Sequence, residues 1–278
     1  MLAISRSDVV AKPFPHVIKQ DILPPDVFAA LRADFPDTSI FEDQVSLNGK
    51  VGSRTGSGFD LYRGDPSYEA LLQRSNAWRT FDGHINSQRF LDTFCEVFAD
   101  SLDAIGLQID VKRSTVAHDY FEPRTNLTET ATVGDRLHGL AKTLATPILG
   151  RQRPEPATMF TRLDIHKSVG GYAKLPHCDR PNRLCSLIIY FTDAEATGLA
   201  GGDLLIFKHK QEKPVEDYER HPRPTSVEQV VQLRPKPNLG VFFPCQNNSY
   251  HAVTEITSKD VERDFLYINM TGRRRSLW

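Results

Sequence analysis

His177 and Asp179 stand two residues apart in the stretch "LPHCDRPNRLCSLIIYF" (175–191), where a polar turn runs into an apolar, branched segment. If they flank a strand end, they project to the same side, because strand side chains alternate with period two. An imidazole and a carboxylate so placed can take one face of a metal ion and need a third ligand. The pair alone is weak, since nine histidines and 35 acidic residues in 278 positions give a His-x-acid about once by chance. His251 has the most suitable context for the third ligand, following the polar turn "PCQNNSY" and opening "HAVTEI" after the apolar "LGVFF". Two imidazoles and a carboxylate on neighbouring strands form the facial triad of non-heme Fe(II) sites, which leaves positions open for a cosubstrate and oxygen.

A cosubstrate carboxylate would need a fixed cation. Arg263 opens "RDFLYINM" twelve residues after His251, and a guanidinium grips a carboxylate through two parallel hydrogen bonds. Tyr190 closes "LCSLIIY" eleven residues after Asp179. That odd separation is reset by the turn "RPNR", so its hydroxyl can point inward toward the same carboxylate. The other histidines read differently. His166 is taken as a satisfied interior or rim residue, and His118, His209 and His221, without partners at metal spacing, as surface or structural residues. Cys178 and Cys185 read as buried thiols of β-runs.

The elements that would carry these residues fall into two halves. Residues 13–36 read as a short strand, a turn at Pro24-Pro25 and an amphipathic helix from Asp26 to about Ala33. A second helical region spans 66–107, where Phe90, Leu91, Phe94, Val97, Phe98 and Leu102 form one apolar stripe. From residue 108 onward come eight short β-like runs: 108–121, 158–166, 184–191, 201–207, 227–233, 239–244, 250–256 and 263–270. Helices in front of many short strands indicate a mainly β sandwich or barrel with N-terminal helices, and the missing βαβ alternation excludes a Rossmann-type sheet. The expected organisation is a single domain, 1–278: mainly helical support over 1–107, a β core over 108–270 with an insert at about 122–157, and a basic tail, 271–278. The insert and the Gly/Ser-rich passage 49–64 are the expected substrate-selecting loops.

Composition bounds the function classes. With a net charge of −1 and a pI near 6.8, the chain has no overall basic field for nucleic acid or an anionic membrane. The absence of a spanning segment, of a leader-like start and of any CxxC among Cys95, Cys178, Cys185 and Cys245 leads to the expectation of a cytoplasmic protein with free thiols. The basic end "GRRRSLW" and Arg54 and Arg63 are read as solvated surface or, for the end, a flexible tail.

Taken in order, His177-x-Asp179, "RLCSLIIYF" with Tyr190, "GLAGGDLLIF", "LGVFFP", His251-Ala-Val and Arg263 opening "RDFLYI" resemble the Fe(II)/2-oxoglutarate-dependent dioxygenases, particularly the prolyl-4-hydroxylase-like branch, over residues 158–270. The resemblance implies a double-stranded β-helix, or jelly roll, with helices packed on one sheet. It implies iron ligation by His177, Asp179 and His251, and cosubstrate binding by Arg263 and Tyr190. The implied cofactors are Fe(II), 2-oxoglutarate and O₂, with ascorbate as a reductant. The implied reaction is oxidation of an unactivated C–H bond coupled to decarboxylation of 2-oxoglutarate to succinate. A carboxylate at Asp179, where halogenating relatives lack one, points to hydroxylation. Two departures stand out. The His251-to-Arg263 spacing is longer than is usual in the branch, so "TSKDVE" must form a longer turn. Where many members carry a Tyr on the strand before His-x-Asp, this chain has Ile165-His166, and Tyr172 is assigned no role. For the substrate, a polar, anionic small molecule met by Arg54, Arg63, Lys174 or Arg180 is preferred, and peptidyl proline is the alternative. A zinc hydrolase and a non-catalytic jelly-roll binding module remain as other classes.

Overall fold

The computed structural model describes residues 1–40, 58–120, 154–211 and 218–278. Its core is eight strands: β5 (Thr158–Ser168), β6 (Lys174–His177), β7 (Arg183–Tyr190), β8 (Leu204–His209), β9 (Val227–Leu233), β10 (Gly240–Pro244), β11 (His251–Val253) and β12 (Arg263–Gly272). Strands β10-β7-β12-β5 lie side by side in a larger sheet and β6-β11-β8-β9 in a smaller one. The chain crosses between the sheets at every connection except β8 to β9, which defines the double-stranded β-helix. Every pairing among these eight strands is antiparallel.

The sequence explains which strands lie innermost. β7 carries the unbroken run "LCSLIIY" and is buried from Leu184 to Tyr190, because one face meets helices and the other the space between the sheets. By contrast β9, "VEQVVQL", has an exposed middle and lies at the edge of the smaller sheet. Three short strands from the front half extend the larger sheet: β1 (Val9–Val10), β2 (His16–Lys19) and β3 (Gly58–Leu61).

Four helices cover the outer face of the larger sheet: α1 (Pro25–Ala33), α2 (Pro66–Arg74), α3 (Asn76–Ile85) and α4 (Gln88–Val97). Proline in the first turn of α1 and α2 fits a position whose N–H has no helical partner. The Ser75 hydroxyl caps α3 by accepting from the Trp78 amide. The apolar stripe read from sequence lies on α4 and just beyond it, where Phe90, Phe94 and Phe98 surround Phe242 of β10 at ring-centroid distances of 6.0, 6.1 and 5.2 Å. Trp78 of α3 is fully buried, its indole N–H donating to the Leu31 carbonyl of α1.

Some elements differ from the sequence reading. The run 108–121 is not one strand: the Asp110 side chain accepts from the Arg113 amide and turns Val111–Arg113 into a 3₁₀ turn, so that only Thr115–Val116 (β4) pairs, in parallel, with β5. Part of the passage 49–64 read as a loop is the edge strand β3, and Arg54 lies outside the described residues, as does most of the 122–157 insert. The basic end is not a free tail. Arg273–Arg275 are exposed, but Leu277 and Trp278 are buried. The Leu277 amide donates to the Pro181 carbonyl at 2.6 Å and the Trp278 indole to the Arg183 carbonyl at 2.8 Å. Two apolar side chains outweigh three arginines in deciding where this segment goes.

Candidate metal and cosubstrate site

His177 ends β6 and His251 opens β11, and the two are directly paired across the smaller sheet, with ring centroids 4.4 Å apart. Asp179 follows two residues after His177, where the chain turns toward β7. Each of the three offers a ligand atom such that all three atoms lie within 4.8 Å of one another. All three residues are buried, Asp179 to 1 % exposure.

The two imidazoles are held alike. Nδ1 of His177 lies 2.9 Å from the Leu175 carbonyl, and Nδ1 of His251 lies 3.0 Å from the Ser249 carbonyl. A carbonyl only accepts, so each Nδ1 carries the proton and each Nε2 keeps its lone pair for a metal. Burial lowers the pKa of both imidazoles, which keeps them neutral and available as ligands.

The carboxylate is held from behind. Asp179 Oδ1 accepts from Arg183 Nη1 at 2.7 Å and from the Tyr267 hydroxyl at 3.0 Å, and Oδ2 accepts from the Ser186 hydroxyl at 2.6 Å. Burial pushes the pKa of Asp179 up. The Arg183 guanidinium, the two imidazoles and the Ser186 hydroxyl together outweigh it and hold the group well below the usual carboxylate range.

Beside the triad a narrow cavity is lined by Tyr172, Lys174, Ile188, Phe265, Tyr267 and Arg263, with His166 and both ligand histidines at its walls. Arg263 begins β12 and is 1 % exposed. Its guanidinium lies 4.3 Å from the Phe265 ring centre, and Nη2 donates to the Tyr190 hydroxyl at 3.2 Å. Among the described residues, Nε and Nη1 have no hydrogen-bond partner. A buried guanidinium with two idle donors is costly unless an anion completes it. The planar fork fits one carboxylate of a dicarboxylic acid. Two neutral imidazoles with one ionised carboxylate are in turn a donor set suited to Fe(II). A more open groove elsewhere, beside Arg32, Phe35 and Glu262, contains neither the triad nor Arg263.

Tyr190 points between the sheets and is fully buried, with its hydroxyl on Arg263 rather than on the wall of the cavity. Tyr172 and His166 both line the cavity. His166 differs from the sequence reading in that its buried Nε2 has no hydrogen-bond partner among the described residues. His221 is exposed, as a surface residue, with its ring 6.1 Å from that of His177 and outside the triad. The longer "TSKDVE" connection is stitched to the body, with Thr257 donating to Ala200 and Gly171 donating to Ile256. Sequence reasoning missed Arg183, Ser186 and Tyr267. A signal existed for Ser186, the one hydroxyl inside an apolar run, and for Tyr267, which lies four residues after Arg263 on the same strand face.

Residues 163–270 match the 2OG-Fe(II) oxygenase superfamily. No curated protein sequence matches the chain. Among solved structures, it is similar to a prolyl 4-hydroxylase of Phytophthora capsici (14 % identity, TM-score 0.43, covering 94 % of this chain and 60 % of that one). It is also similar to a Pseudomonas putida prolyl-4-hydroxylase (13 % identity, TM-score 0.44, covering 94 % and 92 %). A third is the α-ketoglutarate-dependent carbocyclase SnoK of nogalamycin biosynthesis (13 % identity, TM-score 0.44, covering 94 % and 83 %).

Proposed function

With residues 163–270 matching the 2OG-Fe(II) oxygenase superfamily, we propose that the protein is an Fe(II)- and 2-oxoglutarate-dependent dioxygenase that hydroxylates an unactivated C–H bond, using His177, Asp179 and His251 as the metal ligands. The observation that carries this reading is the triad beside a buried Arg263 with two unpartnered donors. Bound iron and 2-oxoglutarate supply the oxidising chemistry, releasing succinate and CO₂. The chain's own part is positional. His177 and His251 present lone pairs because backbone carbonyls hold their other nitrogens, and Asp179 stays ionised because Arg183 faces it. Arg263 takes the distal carboxylate of the cosubstrate, and Tyr190 fixes the guanidinium while accepting from it. Phe265 and Ile188 keep the cavity walls apolar.

For the primary substrate we favour a polar, anionic small molecule. The support is electrostatic: Lys174 and Arg263 line the cavity and no carboxylate side chain is among its lining residues, so its field draws anions in, cosubstrate and substrate alike. Arg63 is committed to Asp82 at 2.9 Å and to the His118 carbonyl, which removes it from the cations expected to meet a substrate. Peptidyl proline is the alternative.

Anaerobic addition of Fe(II) and 2-oxoglutarate is expected to give a weak visible metal-to-ligand band, absent in His177→Ala. A colourless complex, with hydrolytic activity on Zn²⁺ addition, would favour the zinc reading instead. Substrate-coupled succinate release across a metabolite panel tests the substrate class, and stimulation by peptides alone would overturn it.

A further inference from the structure

The sequence groups Lys174 with cations that meet a substrate, but the structure puts it in the same narrow cavity as Arg263. Lys174 opens β6, three residues before His177, and is paired with Val253, two residues after His251. It therefore lies one strand pair along from the paired ligand histidines on the smaller sheet, while Arg263 approaches from the start of β12 in the larger sheet, against Phe265 and Tyr190. Its positive charge reaches His177, His251 and His166, lowering the basicity of all three. The ammonium has no hydrogen-bond or ion-pair partner among the described residues, and Leu175 next to it turns outward, 80 % exposed.

On the reading that this cavity holds 2-oxoglutarate, we propose that Lys174 binds the carboxylate next to the keto group, the metal-proximal head of the 2-oxo acid, while Arg263 binds the distal one. Each end of the dicarboxylate then meets its own cation. Two carboxylates against two cations and a divalent ion leave no uncompensated anion in a buried space. A point-charge ammonium suits a head group that must also turn one oxygen to a metal, whereas the fork of Arg263 suits a carboxylate held at both oxygens.

The test is anaerobic calorimetry on the Mn(II)-loaded protein with two probes: 2-oxoglutarate, and 2-oxobutyrate, which has the same head and no second carboxylate. Lys174→Met is expected to weaken both by about ten- to hundredfold, the worth of one charged hydrogen bond. Arg263→Met is expected to weaken 2-oxoglutarate alone, and Lys174→Arg to restore most of the Lys174→Met loss. An unchanged melting temperature and Mn(II) affinity in Lys174→Met show that the fold and the triad persist. Loss toward 2-oxoglutarate alone in Lys174→Met, or toward neither probe, would overturn the assignment of the head to Lys174. If Arg263→Met leaves 2-oxoglutarate binding unchanged, or the unmutated protein binds none, the cosubstrate reading of the cavity fails, whatever Lys174 does.

Discussion

Asp179 keeps its charge at 1 % exposure because four donors meet its two oxygens: Arg183 and Tyr267 on one, Ser186 and the weaker Cys245 thiol on the other. Those donors also fix the direction in which its remaining lone pairs point, which is the part a metal uses. Tyr267→Phe removes the hydroxyl that both donates to Asp179 and accepts from Arg183 at 2.8 Å. It is expected to weaken Fe(II) or Mn(II) binding by roughly tenfold, the low end of outer-partner effects on metal sites. Ser186→Ala is expected to act in the same direction. Metal titration of both variants checks this, and unchanged affinity in both would show that neither hydroxyl orients the carboxylate. The triad and Arg263 were legible because residue type, order and strand context each pointed the same way. Arg183, Ser186 and Tyr267 were not, because they reach Asp179 only through the pairing of β7 with β12, where Ile188 faces Tyr267 and Ser186 faces Asn269. That register is not written in either strand alone.

Between β7 and β8 the chain turns through "AGG", and the two glycines there do different work. Gly201 has φ +80°, and a Cβ on it would lie 1.8 Å from the Glu255 carbonyl oxygen. Gly202 has φ +76°, and a Cβ on it would lie 2.9 Å from Cδ of Arg263. Both positions favour glycine on backbone grounds alone. Gly201→Ala is expected to lower stability by about 2 kcal/mol or more, since backbone must yield to backbone. Gly202→Ala presses instead on a side chain, so its larger effect is expected on the cosubstrate: a raised apparent KM for 2-oxoglutarate with a smaller loss of melting temperature than Gly201→Ala shows. Equal losses of stability and an unchanged KM would mean that Arg263 is not seated by this turn. At this scale the long apolar runs were readable because β7, β10 and β12 are buried on both faces. β6 was not, being four residues with a proline at an edge. The alternation at 108–121 misled, because Asp110 satisfies a backbone amide that a strand would have used.

Across the whole molecule the larger sheet carries helices outside and the site inside, so β5 has two kinds of neighbour along its length. Ile165 faces the helical layer, while the next residue, His166, faces the cavity and lies 4.5 Å, ring to ring, from Phe265. Burial pushes the His166 pKa down to about 3. An unfolded imidazole takes its proton near 6.5, so between the two values the unfolded chain binds a proton that the folded chain refuses. Stability from this group is therefore complete above about pH 6.5 and is lost as pH falls toward 3, at up to about 1.4 kcal/mol per pH unit. His16 and His84, whose pKa values burial also lowers, act in the same direction. Asp164 and Asp264, raised by burial, oppose them at more acid pH, where they take up protons in the fold first. Denaturant midpoints of the metal-free protein are expected to fall between pH 6.5 and 4.5, and His166→Gln to flatten that fall by about one proton's slope. A variant with the unmodified pH dependence would show that His166 is solvated in solution and that the cavity beside Arg263 opens to water in the metal-free protein.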